Sequence, residues 1–186
     1  HGCLAQRHQL ALAPSARFAW RGLLRQPRAP ARATVLGEST HLPHAAAEAN
    51  AVASLFQTKA HLGRDATITN VLALSGQSDV IHLACHAQFR RDNPMFSALH
   101  LHDGPLTVDR IEAHAWPPAI VVLSGCETGL ADSDPGDEMV GLVRAFLLGG
   151  ASRVMASLWP VDDAVTADFM THFYAAMRRG EAPAQA

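Results

Sequence analysis

The apolar residues of this chain fall into short runs and spaced stripes, and the two patterns alternate along it. Residues 26–33 carry two prolines and no periodicity, a connection that leads into the short run Thr34-Val35-Leu36-Gly37, read as a first strand. From Ala45 to Ala60 the positions Ala45, Ala49, Val52, Ala53 and Phe56 recur every three or four residues, which puts them on one face of a helix. Thr67 or Thr69 can cap a second, shorter helix through Leu74, with Gly76 ending it. Val80 to Cys85 and Ile120 to Leu123 are continuous apolar runs of the kind buried on both faces of a parallel sheet. Met139, Leu142, Val143, Phe146 and Leu147 return to helical spacing, and Gly149-Gly150 supplies a left-handed C-terminal cap. Arg153 to Leu158 reads as another strand. Asp162 or Asp163 then caps a last helix whose Phe169, Met170, Phe173 and Met177 form a core stripe before Gly180.

Strands and helices that alternate in this way predict an α/β fold, a three-layer sandwich whose mainly parallel sheet is covered on both faces. Ligands of such sheets bind beyond the carboxyl ends of the strands. His86 and Cys126 each follow a predicted strand directly, so both are expected at that edge. His100 and His102 alternate in Leu99-His100-Leu101-His102-Asp103, which predicts a half-exposed strand carrying both imidazoles on one face.

Size and composition narrow the picture. At 186 residues the chain suits one domain, 1–186, and 48% apolar against 17% charged residues suits a packed core rather than a disordered segment. The net charge of −2 conceals an asymmetry: Arg7, Arg17, Arg21, Arg25, Arg28 and Arg32 all precede the first acid, Glu38. These arginines are dispersed among apolar residues rather than clustered, so residues 1–33 read as a basic edge of the domain, and no nucleic-acid partner is expected. No apolar run approaches the roughly 18 residues of a membrane span and no tripartite signal opens the chain, which predicts a cytoplasmic protein without a membrane partner. Cys3, Cys85 and Cys126 lack the spacing of a disulfide framework and suit a reducing compartment. A start at His1 without an initiator Met reads as a cut from a longer polypeptide.

The chemistry centres on Cys126. It lies in Leu123-Ser124-Gly125-Cys126-Glu127-Thr128-Gly129, where a buried strand opens into a turn of small residues that can present a thiol at the sheet edge. A cysteine attacks as thiolate and needs a base, and His86, at the end of a neighbouring strand, is placed to serve. The competing reading is a small buried hydrophobe. Cys85, next to His86, should point inward as a structural residue. His82, Cys85, His86 and Cys126 could instead ligate a metal, although no second pair follows at the spacing of a closed zinc site, and no cofactor is expected. Asp132, Asp134, Asp137 and Glu138 form an acidic segment that can cap the following helix or receive a basic substrate side chain; for Asp137 capping is the simpler role. No glycine-rich phosphate loop follows a strand.

Five ordered blocks resemble the CHAT domain, the caspase-like module associated with tetratricopeptide repeats. They are His82-Leu83-Ala84-Cys85-His86-Ala87, Asn93-Pro94-Met95-Phe96-Ser97, the block around Cys126, Pro135-Gly136-Asp137-Glu138 with Gly141-Leu142, and Ser157-Leu158-Trp159-Pro160-Val161-Asp162-Asp163. His86 precedes Cys126 by 40 residues, the order of caspase-type enzymes. The resemblance runs from about Ser39 to the end, and residues 1–4 and 13–16 are similar to the family's preceding region. It implies a caspase-like fold, cleavage of peptide bonds in a protein substrate, His86 as base and Cys126 as nucleophile. It also implies an oxyanion site from the backbone amides of Ala87 and Cys126, Trp159 as a wall of the specificity pocket, and a tetratricopeptide-repeat region in the full polypeptide. The chain departs from the family's pattern at Ala87, commonly Gly, and at Gly125, commonly Ala. A catalytically silent or partner-gated binding module is the alternative the resemblance leaves open.

Overall fold

The computed structural model describes residues 13, 15, 16, 18–20, 28–38, 42, 44–88, 93–124, 135–157 and 163–183. Its centre is a five-stranded, all-parallel sheet in the order β2-β1-β3-β7-β8, built from β1 (Ala33–Gly37), β2 (Ala60–Leu62), β3 (Val80–Ala84), β7 (Ile120–Ser124) and β8 (Arg153–Ala156). Between β3 and β7 the chain makes a second, antiparallel sheet from β4 (Ala87–Gln88), β5 (Ala98–Leu101) and β6 (Gly104–Thr107). The helices are α1 (Ala45–Leu55), α2 (Ile68–Ser75), α3 (Val108–Ala113), α4 (Pro135–Gly149) and α5 (Asp163–Arg178).

β1, β3 and β7 are buried at nearly every position and mostly apolar, with Thr34, His82 and Ser124 as their polar members, because each face meets helices. Val35, Val80, Ile120 and Val122 pack against Ala49, Val52 and Ala53 of α1 and against Met170, Phe173, Tyr174 and Met177 of α5. On the other face Leu36, Ile81, Leu83, Val121 and Leu123 pack with Ile68 and Val71 of α2, Val108 and Ile111 of α3, and Leu142, Ala145 and Phe146 of α4. The three layers of the expected sandwich are therefore two helical layers around one parallel sheet. No helix among the described residues is long and apolar enough to cross a membrane.

Local chemistry sets the boundaries. Thr67 caps α2, its hydroxyl accepting from the Asn70 amide at 3.1 Å, and Asp103 in the β5–β6 turn reinforces the same helix end by accepting from the Ile68 amide at 2.7 Å. Gly150, at φ +123°, closes α4: the Gly150 amide donates to the Leu147 carbonyl and the Ala151 amide to that of Phe146, the paired bonds of a Schellman motif. Gly37 matters for a different reason. A β-carbon there would lie 2.9 Å from the Ala45 carbonyl oxygen and from the Ala49 side chain, so its absence lets α1 settle onto the end of β1.

Several expectations change. The first helix ends at Leu55 rather than Ala60, because Gln57 takes a positive φ of 53° and Ala60 opens strand β2. Only His100 of the two alternating histidines lies within a strand; His102 is in the turn after β5. Phe169 is 51% exposed, unlike Met170, Phe173 and Met177, and stacks on Phe173 instead of entering the core. α4 starts at Pro135, so Asp137 and Glu138 stand in its first turn and neither is the cap.

Candidate functional site at the carboxyl edge of the sheet

β3 and β7 are neighbours in register from Val80↔Ile120 to Ala84↔Ser124, so the two strands end at the same level. Beyond that level the Cys85 amide donates to the Ser124 carbonyl at 3.1 Å, extending the pairing by one step. His86 follows, half-buried, where the chain leaves the parallel sheet for the antiparallel one. Its carbonyl accepts from the His100 amide at 2.8 Å. The backbone is thus held by β7 on one side of His86 and by β5 on the other.

The antiparallel register also fixes which way the next amide points. His86 and His100 form a hydrogen-bonded pair, and pairs alternate along an antiparallel ladder, so Ala87↔Leu99 is a non-bonded pair. The Ala87 amide therefore faces away from β5. Ala87 has no positive φ; Gln57 is the only non-glycine residue with one among the described residues. Alanine suits this turn without strain.

Other polar groups gather at the same edge. Glu38, just past β1, is 5% exposed, and its amide donates to the Ala84 carbonyl at 2.9 Å. β1 and β3 flank the point where the strand order reverses, which is where open parallel sheets bind ligands. Ser124, the last residue of β7, is 1% exposed, and its hydroxyl has no hydrogen-bond partner among the described residues. Both were passed over on sequence grounds: a lone acid after a strand has no signature, and Ser124 shows its character only once its burial is known.

Cys126 follows Ser124 by two residues and lies outside the described residues, as do Asp132, Asp134 and Trp159. Asp137 and Glu138 belong to the first turn of α4, the helix that follows the Cys126 segment. The shared metal site drawn from His82 and Cys85 does not form. His82 meets Tyr174 on the α1/α5 face, whereas Cys85 is buried in the cluster on the opposite face, as residues three apart on an extended segment must be, so the two cannot turn toward one ion. Among the described residues no group of three His, Cys, Asp or Glu is placed to hold a metal.

Comparison with known proteins adds a family. The model of the CHAT domain matches residues 1–186. No curated protein matches the chain. Among solved structures, the Streptococcus pneumonia TIGR4 flavodoxin superposes with a TM-score of 0.43 at 14% identity, over 77% of this chain and 97% of its own.

Proposed function

The chain belongs to the CHAT family, caspase-like and peptidase-related, and from that premise we propose that it is a cysteine endopeptidase acting through His86 and Cys126. The observation that supports this reading is the register of β3 with β7: two adjacent parallel strands stop at the same level at Ala84 and Ser124, and in sequence His86 and Cys126 each follow two residues after those ends. In the reaction His86 takes the proton from the Cys126 thiol, and the thiolate sulfur bonds to the scissile carbonyl carbon. The developing oxyanion accepts from the amides of Ala87 and Cys126, the first of which is turned away from β5 as this role requires. His86 returns its proton to the leaving amine as the C–N bond breaks. Water, with His86 again as base, then hydrolyses the thioester and restores the thiol.

Trp159 walls the pocket for the residue before the cut, and Asp132, Asp134, Asp137 and Glu138 favour a basic side chain there by charge. The substrate is a protein segment in extended form, and a tetratricopeptide-repeat region of the full polypeptide controls access to it.

The test is mass-spectrometric mapping of a thiol-directed electrophile on native protein. Cys126 is expected to label first, and His86→Ala to slow that labelling by about tenfold or more, while Cys85, 1% exposed, stays unreactive in both. Labelling of Cys126 that ignores His86 would reject the dyad in favour of a silent or partner-gated module.

A further inference from the structure

At the opposite, amino edge of the parallel sheet, a cleft of about 460 Å³ lies between the connection into β1 and the starts of β3, β7 and β8. Its charged lining is Arg28, Arg32, Arg153 and Asp79, and Pro117 and Pro118 form part of its wall. Neither Arg28 nor Arg153 has an ion-pair partner among the described residues. The single carboxylate is already committed: Asp79 Oδ2 accepts from the Ala31 and Arg32 amides at 3.0 and 2.9 Å, and Oδ1 lies 3.7 Å from the Arg32 guanidinium. Partial burial would raise the Asp79 pKa, but the Arg32 and Ala31 amides and the Arg32 charge outweigh it and hold the carboxyl below its usual range. Three fixed positive charges thus face one occupied negative charge.

The nature of a ligand follows from what else the cleft lacks. The strand starts that border it have spent their backbone donors: the Asp79 and Val80 amides both donate to the Arg32 carbonyl, the Ile120 amide to that of Asp79, and the Ser152 amide to that of Ala119. An extended peptide would find no strand of the sheet free to pair with. No aromatic side chain among the described residues lines the space, so a nucleobase would find nothing there to stack on. What remains is a concavity of small-ligand size bordered by guanidinium forks, the geometry that grips phosphate oxygens in pairs. We propose that this amino-edge cleft is a binding site for a small oligophosphate, held by Arg28, Arg32 and Arg153. Such a ligand would tie the connection at residues 28–32 to the strands of the core and stabilise the folded chain by mass action. The site lies across the sheet from His86 and stands whether or not the peptidase reading does.

Gly76 supplies a clean test. It borders the cleft with an ordinary helical backbone, and a β-carbon built on it meets nothing within 4 Å, so a side chain there enters open space. Tripolyphosphate titrated calorimetrically into the whole chain at physiological ionic strength should bind saturably at one site. Gly76→Glu and Arg153→Ala should each weaken that binding roughly tenfold with little change in melting temperature, whereas Arg64→Ala, an exposed arginine beyond β2 at the carboxyl edge, should leave it intact. Absence of saturable binding, or equal affinity in all four proteins, would overturn the site. Citrate binding as tightly as tripolyphosphate would overturn the phosphate assignment, and tighter binding of ATP would overturn the preference for a ligand without a base.

Discussion

His82 and His86 lie four residues apart on one segment, yet their surroundings have nothing in common. His82, in the middle of β3, is completely buried; its Nδ1 lies 3.0 Å from the Tyr174 hydroxyl of α5, and its Nε2 3.3 Å from a Glu48 carboxylate oxygen of α1. Although that last pair lies close, neither atom has a hydrogen bond among the described residues. His86, two residues past the end of the same strand, is half-buried at the edge where two sheets part. The same residue type serves as a core tie in one place and as a candidate base in the other. Position along a buried strand, rather than the imidazole itself, decides which.

The contrast is sharpest if the two histidines are removed in turn. His86→Ala should lower peptidase activity by roughly 10² to 10⁴, the usual worth of a general base, with little change in the urea midpoint. His82→Leu should do the reverse. It removes the bond to Tyr174 and leaves Glu48, 5% exposed, buried without its polar neighbour, an expected cost of about 1–3 kcal/mol in urea unfolding, and the double change with Glu48→Leu should recover part of that loss. Equal stability losses at both positions would erase the distinction.

A smaller effect tests the third member of the buried group. Burial, and then the charge of Glu48, push the Tyr174 hydroxyl well above the ordinary tyrosine pKa. A raised pKa means that the folded state holds its proton where the unfolded state has lost it. The contribution is therefore complete below about pH 10 and is lost as pH rises above that. Tyr174→Phe should cost about 1 kcal/mol near neutrality, from the lost bond to His82, and should remove this alkaline step from a plot of unfolding free energy against pH. Persistence of the step in the variant would assign it elsewhere.

The smallest effect is on the other side of the comparison. Ser124, at the end of the strand next to β3, is buried with a hydroxyl that has no partner among the described residues. Ser124→Ala should leave stability unchanged or raise it by up to about 1 kcal/mol. If activity per folded molecule falls at the same time, the hydroxyl belongs to the site; if activity holds, Ser124 is only a packing residue.

Much of this architecture was legible in the pattern of residues. The strands around Val35, Ile81, Val121 and Val154, the Thr67 cap and the stop at Gly149-Gly150 are all local matters, decided by a short apolar run, a hydroxyl within reach of a first-turn amide, or a residue without a β-carbon. The arrival of His86 at a carboxyl edge followed from where its strand ended. Short strands escaped notice: β2 spans three residues and β4 two, too few for any period to declare itself.

The sequence by itself thus determined the layered α/β fold and nominated His86 and Cys126 as candidates, because element types and strand ends are read from near neighbours in the chain. Only the tertiary structure decided which partners those residues have. Glu48, His82 and Tyr174 form one buried group, Arg28, Asp79 and Arg153 border one cleft, and the His86 carbonyl is tied to His100, although long stretches of chain separate most of them. The physical reason is that burial and electrostatics depend on distance through space, and that distance is set by how the strands order themselves in the sheet.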